Sequence, residues 1–203
     1  NNTPKHLSPI YKSFQANGEL SCKGNIKGLI SKENNPALNM SCHIDKGNFV
    51  LKSRPFILKN ITLDGQITNG ENRNFKNTRI EITQFDTETE NGFIKGDFTI
   101  QDLNQYYLTA NLSSNWDLSE INHYFEDSPF FNLQGELLAN TQYSGYISFD
   151  SRFQNYFLNA QHNSTTTFKN TSFKYKNFPL EFNIQSADCK FQNNTINVTN
   201  SLF

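Results

Sequence analysis

Three carboxylates are spaced so that their side chains could act together, because Asp86, Glu88 and Glu90 alternate along one segment. Alternate residues of a β-strand point to the same face of a sheet, so such a row could serve acid–base catalysis or bind calcium through its oxygens. A charged strand face is, however, usually the side of a sheet that meets water. We therefore interpret this row as a solvent-facing surface.

Other patterns that carry catalytic or metal chemistry are absent from the sequence. The histidines His6, His43, His123 and His162 are scattered, with no HExxH pair, and there is no glycine-rich phosphate loop. A Gly-x-Ser-x-Gly nucleophile elbow is also missing. The sequence predicts no enzyme, no catalytic residues, no metal site and no cofactor.

The cysteines Cys22, Cys42 and Cys189 are an odd set without the paired spacing of a zinc site. Cys22 and Cys42 share a face by parity and could pair in an oxidising compartment such as the periplasm. Setting them directly opposite each other, however, would draw Pro36 into the strand ladder, which central strands resist. We therefore predict free thiols packed on the inner face.

A meander of antiparallel strands must position these residues, and its clearest signal is Asn91-Gly92. This dipeptide lies between two alternating runs, where both residues tolerate the positive φ of a type I′ turn. A two-residue loop there would place Glu88 opposite Lys95 and Phe85 opposite Phe98. The charges would then lie on one face of the hairpin and the apolar side chains on the other.

Parity conflicts with this arrangement in the first strand of the hairpin. Ile80 and Ile82 have the wrong parity to join Phe85 on the apolar face, because a shift of one residue reverses every side chain. We therefore predict a β-bulge near Thr83 and Gln84.

The rest of the chain repeats the same strand pattern. Its 203 residues include 19 Phe and 8 Tyr, and alternating strands separated by turn signals favour an all-β fold. We predict an antiparallel, strongly twisted meander that forms an elongated groove or furled sheet. The one predicted helix is short, over Asp117–Phe125, with Asp117 as N-cap and Glu120 completing a capping box. Residues 1–16 are predicted to be a lead-in segment and residues 17–203 a single β-domain.

Charge and hydropathy limit the partners. A formal net charge of -1 without a basic stripe argues against nucleic acid. No run approaches the roughly 20 apolar residues of a membrane-spanning helix, and no signal peptide begins the chain. The first residue is Asn1, so we expect an excerpt of a longer protein whose membrane anchor lies outside these residues.

Two stretches resemble the AsmA-like proteins of Gram-negative bacteria, particularly the type seen in Bacteroidetes. The first, residues 107–145, reads YLTANLSSNWDLSEINHYFEDSPFFNLQGELLANTQYSG, a strand followed by Asp-Leu, a short helix and a glycine-containing strand. The second, residues 171–203, reads TSFKYKNFPLEFNIQSADCKFQNNTINVTNSLF and is similar to their C-terminal region. The resemblance covers roughly residues 20–203.

The resemblance implies a periplasmic β-groove tethered to the inner membrane, similar to bridge-like lipid transfer proteins. In such proteins an apolar groove carries phospholipid acyl chains between membranes and supports outer-membrane homeostasis. The family has no catalytic residues to carry over. The implied partners are a phospholipid or another acyl-chain lipid, and a membrane through the anchor.

Two other functions remain open. One is a cell-surface β-sandwich that acts as an adhesin or glycan-binding module, and the other is a glycoside hydrolase fragment with opposed carboxylates. Under the groove hypothesis Glu88, Lys95 and Asp97 point to water. The side chains predicted to contact lipid share the opposite face of the meander; they are Phe85, Ile94, Phe98, Ile100, Leu108, Ala110 and Leu112.

Overall fold

The computed structural model describes residues 14–29, 31, 35–51, 56–122, 130–147, 160–193 and 195–202. In these residues the chain forms one unclosed sheet of ten antiparallel strands, in which each strand pairs with its neighbours in sequence. Residues 1–13 of the predicted lead-in lie outside the described residues, and its last residues begin the first strand. The strands are β1 (Phe14–Lys27), β2 (Ala37–Leu51), β3 (Phe56–Thr68), β4 (Arg79–Glu88), β5 (Phe93–Gln101), β6 (Tyr107–Asp117), β7 (Phe130–Tyr146), β8 (Gln161–Tyr175), β9 (Phe178–Gln192) and β10 (Thr195–Leu202).

This architecture confirms the predicted all-β antiparallel meander. Alternating apolar and polar residues give each strand two unlike faces, and short connections can join only antiparallel neighbours. A 3-10 turn, Phe75–Asn77, lies in the polar connection between β3 and β4.

The loop predicted at Asn91-Gly92 is longer than two residues. Glu88 pairs with Phe93, and the Thr89 N–H donates to the Gly92 carbonyl at 3.0 Å, so the loop spans Thr89–Gly92. The predicted pairs of Glu88 with Lys95 and of Phe85 with Phe98 are therefore wrong. A tertiary contact holds the wider loop, because the Asn91 N–H donates to the Glu120 carboxylate at 2.5 Å.

The predicted β-bulge in β4 is confirmed. Ile82 pairs with Phe98 and Phe85 pairs with Gly96, so Thr83 and Gln84 together lie opposite a single residue of β5. The extra residue reverses the parity of β4, which brings Ile82 and Phe85 to the same side of the sheet. The Phe85 and Phe98 rings still meet edge to face, with centroids 5.8 Å apart.

Gly96, which pairs with Phe85 next to this bulge, is expected to be intolerant of substitution. Its φ of +149° is unfavourable for residues with a Cβ, and a Cβ there would collide with the Asn111 carbonyl of β6. Gly96→Ala should lower the free energy of unfolding by about 1–3 kcal/mol or more. Urea denaturation measures this, with Thr99→Ala in the same strand as the control, expected to cost within about 1 kcal/mol. Equal midpoints for the two variants would contradict this account of Gly96.

Three strands continue through positions where polar or glycine residues could have ended them. The segment Lys46-Gly47-Asn48 lies inside β2, where Lys46 has a φ of 51° and the register with β3 shifts on both sides of Gly47. Strand β8 continues through Asn170, whose φ is 46°. Strand β9 likewise continues through Ala187 and Asp188 without a break. Polar and glycine residues allow a strand to bulge as readily as to end.

The predicted helix Asp117–Phe125 is present as a single turn, α1 (Leu118–Ile121), and its residues 123–125 lie outside the described residues. Asp117 caps it, accepting from the Ser119 N–H at 2.8 Å. The predicted capping box is wrong, because Glu120 binds Asn91 instead. Asn122 then exchanges two hydrogen bonds with the Leu133 backbone, at 2.8 and 3.0 Å, which ties the turn to β7.

Few side chains of the described residues are fully buried. The most enclosed polar one is Thr87, at 0% exposure, whose hydroxyl donates to the Lys59 carbonyl at 2.9 Å. The sheet thus lacks the deep core that two packed layers would give. The buried apolar side chains are Ile82, Ala110, Leu118, Ala160 and Ala187.

Candidate functional site

The side chains predicted to contact lipid lie together on one side of β4, β5 and β6. Cross-strand partners in an antiparallel sheet share a face. Phe98 pairs with Ala110, and Ile100 with Leu108, while Gly96 lies between Phe85 and Leu112. Ile94 has the same parity in β5. The structure therefore brings all of them to one surface, which we call the apolar face; their role in lipid binding stays a prediction.

The apolar face extends well beyond this meander. On one side, Ile80 of β4 pairs with Ile67 of β3, which pairs with Met40 of β2. On the other side, Trp116 of β6 pairs with Leu137 of β7, which pairs with Phe168 of β8. The site prediction omitted these outer strands, although their alternation gave the same signal. Further members of the apolar face are Leu20, Cys22, Cys42, Ile44, Leu63, Ile82, Ala139, Ala187, Cys189, Phe191, Ile196 and Val198.

Exposure across the apolar face grades from centre to edge. Ala110 is 3% exposed and Ile82 is 7%, whereas Leu20 in β1 is 66% and Ile196 in β10 is 61% exposed. The large side chains of Phe98, which pairs with both Ile82 and Ala110, and of Leu108 are half-buried. Since every described strand belongs to one sheet, no second sheet covers this face within the described residues. The face is therefore apolar and remains accessible to a ligand.

The opposite side of the sheet, the polar face, carries the charged residues. Glu88, Lys95 and Asp97 are all exposed there, as predicted. Lys95 forms its ion pair with Asp86, at 3.1 Å, and Glu88 accepts from the Asn60 amide at 2.8 Å. Exposed pairs of this kind contribute little to stability, about 0–1 kcal/mol.

The carboxylate row of the sequence analysis therefore meets water. Asp86 and Glu88 lie on the polar face, and Glu90 is exposed in the loop between β4 and β5. In the described part of the chain, no three His, Cys, Asp or Glu side chains gather closely enough to hold a metal ion. The nearest approach to a catalytic pairing is His43 Nδ1 with Asp64 Oδ1 at 2.7 Å, on an exposed part of the polar face.

The prediction that Cys22 and Cys42 are free thiols is wrong, because they form a disulfide. They are directly opposite each other, with Cα atoms 4.2 Å apart. The sequence argument against this pairing was that it would draw Pro36 into the ladder. The ladder instead ends at the pair Lys27 and Ala37, so Pro36 does not have to pair. The bond fastens β1, an edge strand, to β2.

The third cysteine, Cys189, is a free thiol on the apolar face. It pairs with Thr166 on one side and with Val198 on the other. Partial burial raises the pKa of this thiol, and the nearby carboxylate of Asp188 raises it further. The thiolate is therefore scarce at neutral pH, so Cys189 should be less reactive than an ordinary thiol.

Several polar side chains, among them Thr141, Ser164 and Tyr143, also lie on the apolar face. Tyr143 pairs with Ala110, and its hydroxyl donates to the Tyr146 carbonyl at 3.0 Å. Burial raises the pKa of Tyr143, and the proximity of Tyr107 raises it further. The hydroxyl therefore stays protonated and serves as a structural donor.

Among the described residues, no helical segment has the length and apolar character needed to cross a bilayer. Comparison of the chain with protein-family models, with curated proteins and with solved structures gives no match.

Proposed function

We propose that the chain is a non-enzymatic lipid-binding and lipid-transfer segment whose apolar face carries phospholipid acyl chains. The observation that carries this proposal is the apolar face, which is continuous across ten strands of a single sheet and has no second sheet over it among the described residues. At about 4.8 Å per strand, such a sheet is roughly 43 Å wide. Exposed apolar surface of this extent is costly in water and typically marks a binding surface.

The chemistry of the face suits acyl chains in particular. Its central strands present branched aliphatic and phenyl groups, whereas ion pairs such as Asp86 with Lys95 lie on the polar face. Acyl chains need only nonpolar contact and no directional hydrogen bonds, so they can slide along such a surface. The resemblance to AsmA-like proteins supports the same function, with phospholipid moving between membranes for outer-membrane homeostasis.

The disulfide between Cys22 and Cys42 supports a periplasmic location. Disulfides persist in oxidising compartments such as the periplasm and are rare in the reducing cytosol. We propose that the segment faces the periplasm and is tethered to the inner membrane by a part of the full-length protein outside these residues.

Alkylation of Cys189 tests the proposal directly. Because its pKa is raised, Cys189 should react with iodoacetamide more slowly than an ordinary thiol at pH 8. Saturation with a short-chain phosphatidylglycerol should slow the reaction several-fold further, because acyl chains would cover the apolar face. Mass spectrometry measures the rate, and native mass spectrometry detects the bound lipid.

The control places the thiol on the polar face of the same strand. In a Cys189→Ser background, Lys190→Cys should react at a rate that lipid does not change, since Lys190 is exposed on the opposite side. Equal protection of both thiols, or protection of neither with no lipid bound, would refute the assignment of lipid to the apolar face.

A further inference from the structure

An exposed group of aromatic rings lies where β7 begins, β8 ends and β9 begins. We call it the aromatic corner; it consists of Phe130, Phe173, Tyr175, Phe178 and Phe182. The ring centroids of Phe130 lie 5.5 Å from Phe173 and 5.3 Å from Tyr175. Phe182 lies 5.1 Å from Phe173 and 5.8 Å from Phe178. The rings thus form one contiguous surface.

The aromatic corner remains accessible despite these mutual contacts. Phe178 is 49% exposed, Phe130 43% and Phe182 40%, and the adjacent Leu180 is 60% exposed. The hairpin that joins β8 to β9 turns at Lys176 and Asn177, so several of these side chains lie close to an exposed tip. Large apolar groups at an exposed tip are costly unless another phase or partner receives them.

Positive charge accompanies the rings. Lys174 and Lys176 alternate with the aromatic residues along the end of β8, and Lys176 is exposed. Glu181 is directly opposite Lys174 in the ladder, so it offsets one of the two charges. The remaining charge disfavours self-association of the corner, because a two-fold contact would bring like charges together.

We propose that the aromatic corner docks on the surface of an anionic phospholipid bilayer. Phenyl and leucyl side chains at such a boundary bury in the region between headgroups and acyl chains, while lysine ammonium groups reach the lipid phosphates. This inference rests on the proposed function for its purpose, since a lipid carrier must meet a membrane. The corner is well placed for that purpose, because β8 and β9 also carry Phe168 and Ala187 of the apolar face.

Flotation with vesicles of equimolar phosphatidylcholine and phosphatidylglycerol tests the docking surface. The wild-type chain should float with these vesicles. Phe178→Ser combined with Leu180→Ser should lower the partition coefficient by about tenfold or more, because two apolar side chains no longer enter the bilayer. Lys176→Gln should lower it about fivefold on these vesicles and leave binding to pure phosphatidylcholine unchanged.

The matched control is Phe75→Ser. Phe75 is 69% exposed, but it lies between β3 and β4, at the opposite end of the strands from the aromatic corner. Its substitution should leave flotation unchanged. Failure of the wild type to float, or an equal loss with Phe75→Ser, would overturn the proposal. Light scattering that shows a dimer broken by the double variant would assign the corner to self-association instead.

Docking and acyl-chain binding can fail separately. The double variant should keep the protection of Cys189 by soluble short-chain lipid, because the apolar face is unchanged. A variant with a charge on the apolar face should still float. Loss of both properties in either variant would contradict the separation of the docking surface from the apolar face.

Discussion

Leu108→Asp is expected to give a folded protein that no longer crosslinks to photoactivatable acyl chains. Leu108 lies on the apolar face in the central strand β6, between Ile100 and Gly145 in the ladder, and is half-buried. A carboxylate there stays hydrated while the face is open, so the sheet should tolerate it. Beside hydrocarbon it would have to be desolvated, at a cost of several kcal/mol, and lipid binding should be lost. Phe98→Glu should behave in the same way.

Thr109→Asp is the matched control for this experiment. Thr109 is the next residue of β6 and is exposed on the polar face, so a carboxylate there should leave crosslinking unchanged. Circular dichroism and a denaturation midpoint check the fold of each variant. A loss of roughly 3–5 kcal/mol in the free energy of unfolding of Leu108→Asp is the cost of an uncompensated buried charge. It would instead indicate a closed, packed core and favour the β-sandwich binding module.

The second large effect is expected from the disulfide. Replacing both Cys22 and Cys42 by Ser should destabilise the hairpin of β1 and β2 by about 3 kcal/mol, since the bond closes a loop with a sequence separation of 20. The effect should be local. β1 is an edge strand paired only with β2, and all its described side chains are exposed, so little else holds it in place.

Hydrogen exchange measured by mass spectrometry distinguishes this local effect from global unfolding. Residues 14–27 should lose protection in the double variant, and β5 to β7 should keep theirs. A reducing agent should reproduce the result in the wild type. Cys189→Ser is the control, because that thiol is free and its substitution should leave β1 protected. Unchanged exchange in β1 after removal of the disulfide would show that the ladder alone holds the edge strand.

The sequence by itself determined the fold class and the composition of the two faces. Alternation in segments such as residues 108–112 dictates strands, because a period of two matches the pleat and places like residues on one side. Parity even located the bulge at Thr83 and Gln84, since Ile80 and Ile82 could not otherwise join Phe85. These features follow from local geometry, because the order of apolar and polar residues along a strand determines which face each side chain occupies.

Only the tertiary structure decided the pairing register. The loop Thr89–Gly92 is wider than Asn-Gly alone predicts, because Glu120, distant in sequence, receives the Asn91 N–H. The pairing of Cys22 with Cys42 likewise depended on where the ladder stops before Pro36. Both are contacts between segments far apart in the chain, and local propensity does not encode them.

The accessibility of the apolar face was also a tertiary outcome. Alternation in Leu108, Ala110 and Leu112 predicts an apolar side equally for a sandwich and for an open sheet. Whether a second layer covers that side depends on how all the strands are connected, and here each described strand pairs in sequence order within one sheet. Burial is a property of the assembled sheet because a side chain is covered only by what the rest of the chain brings over it.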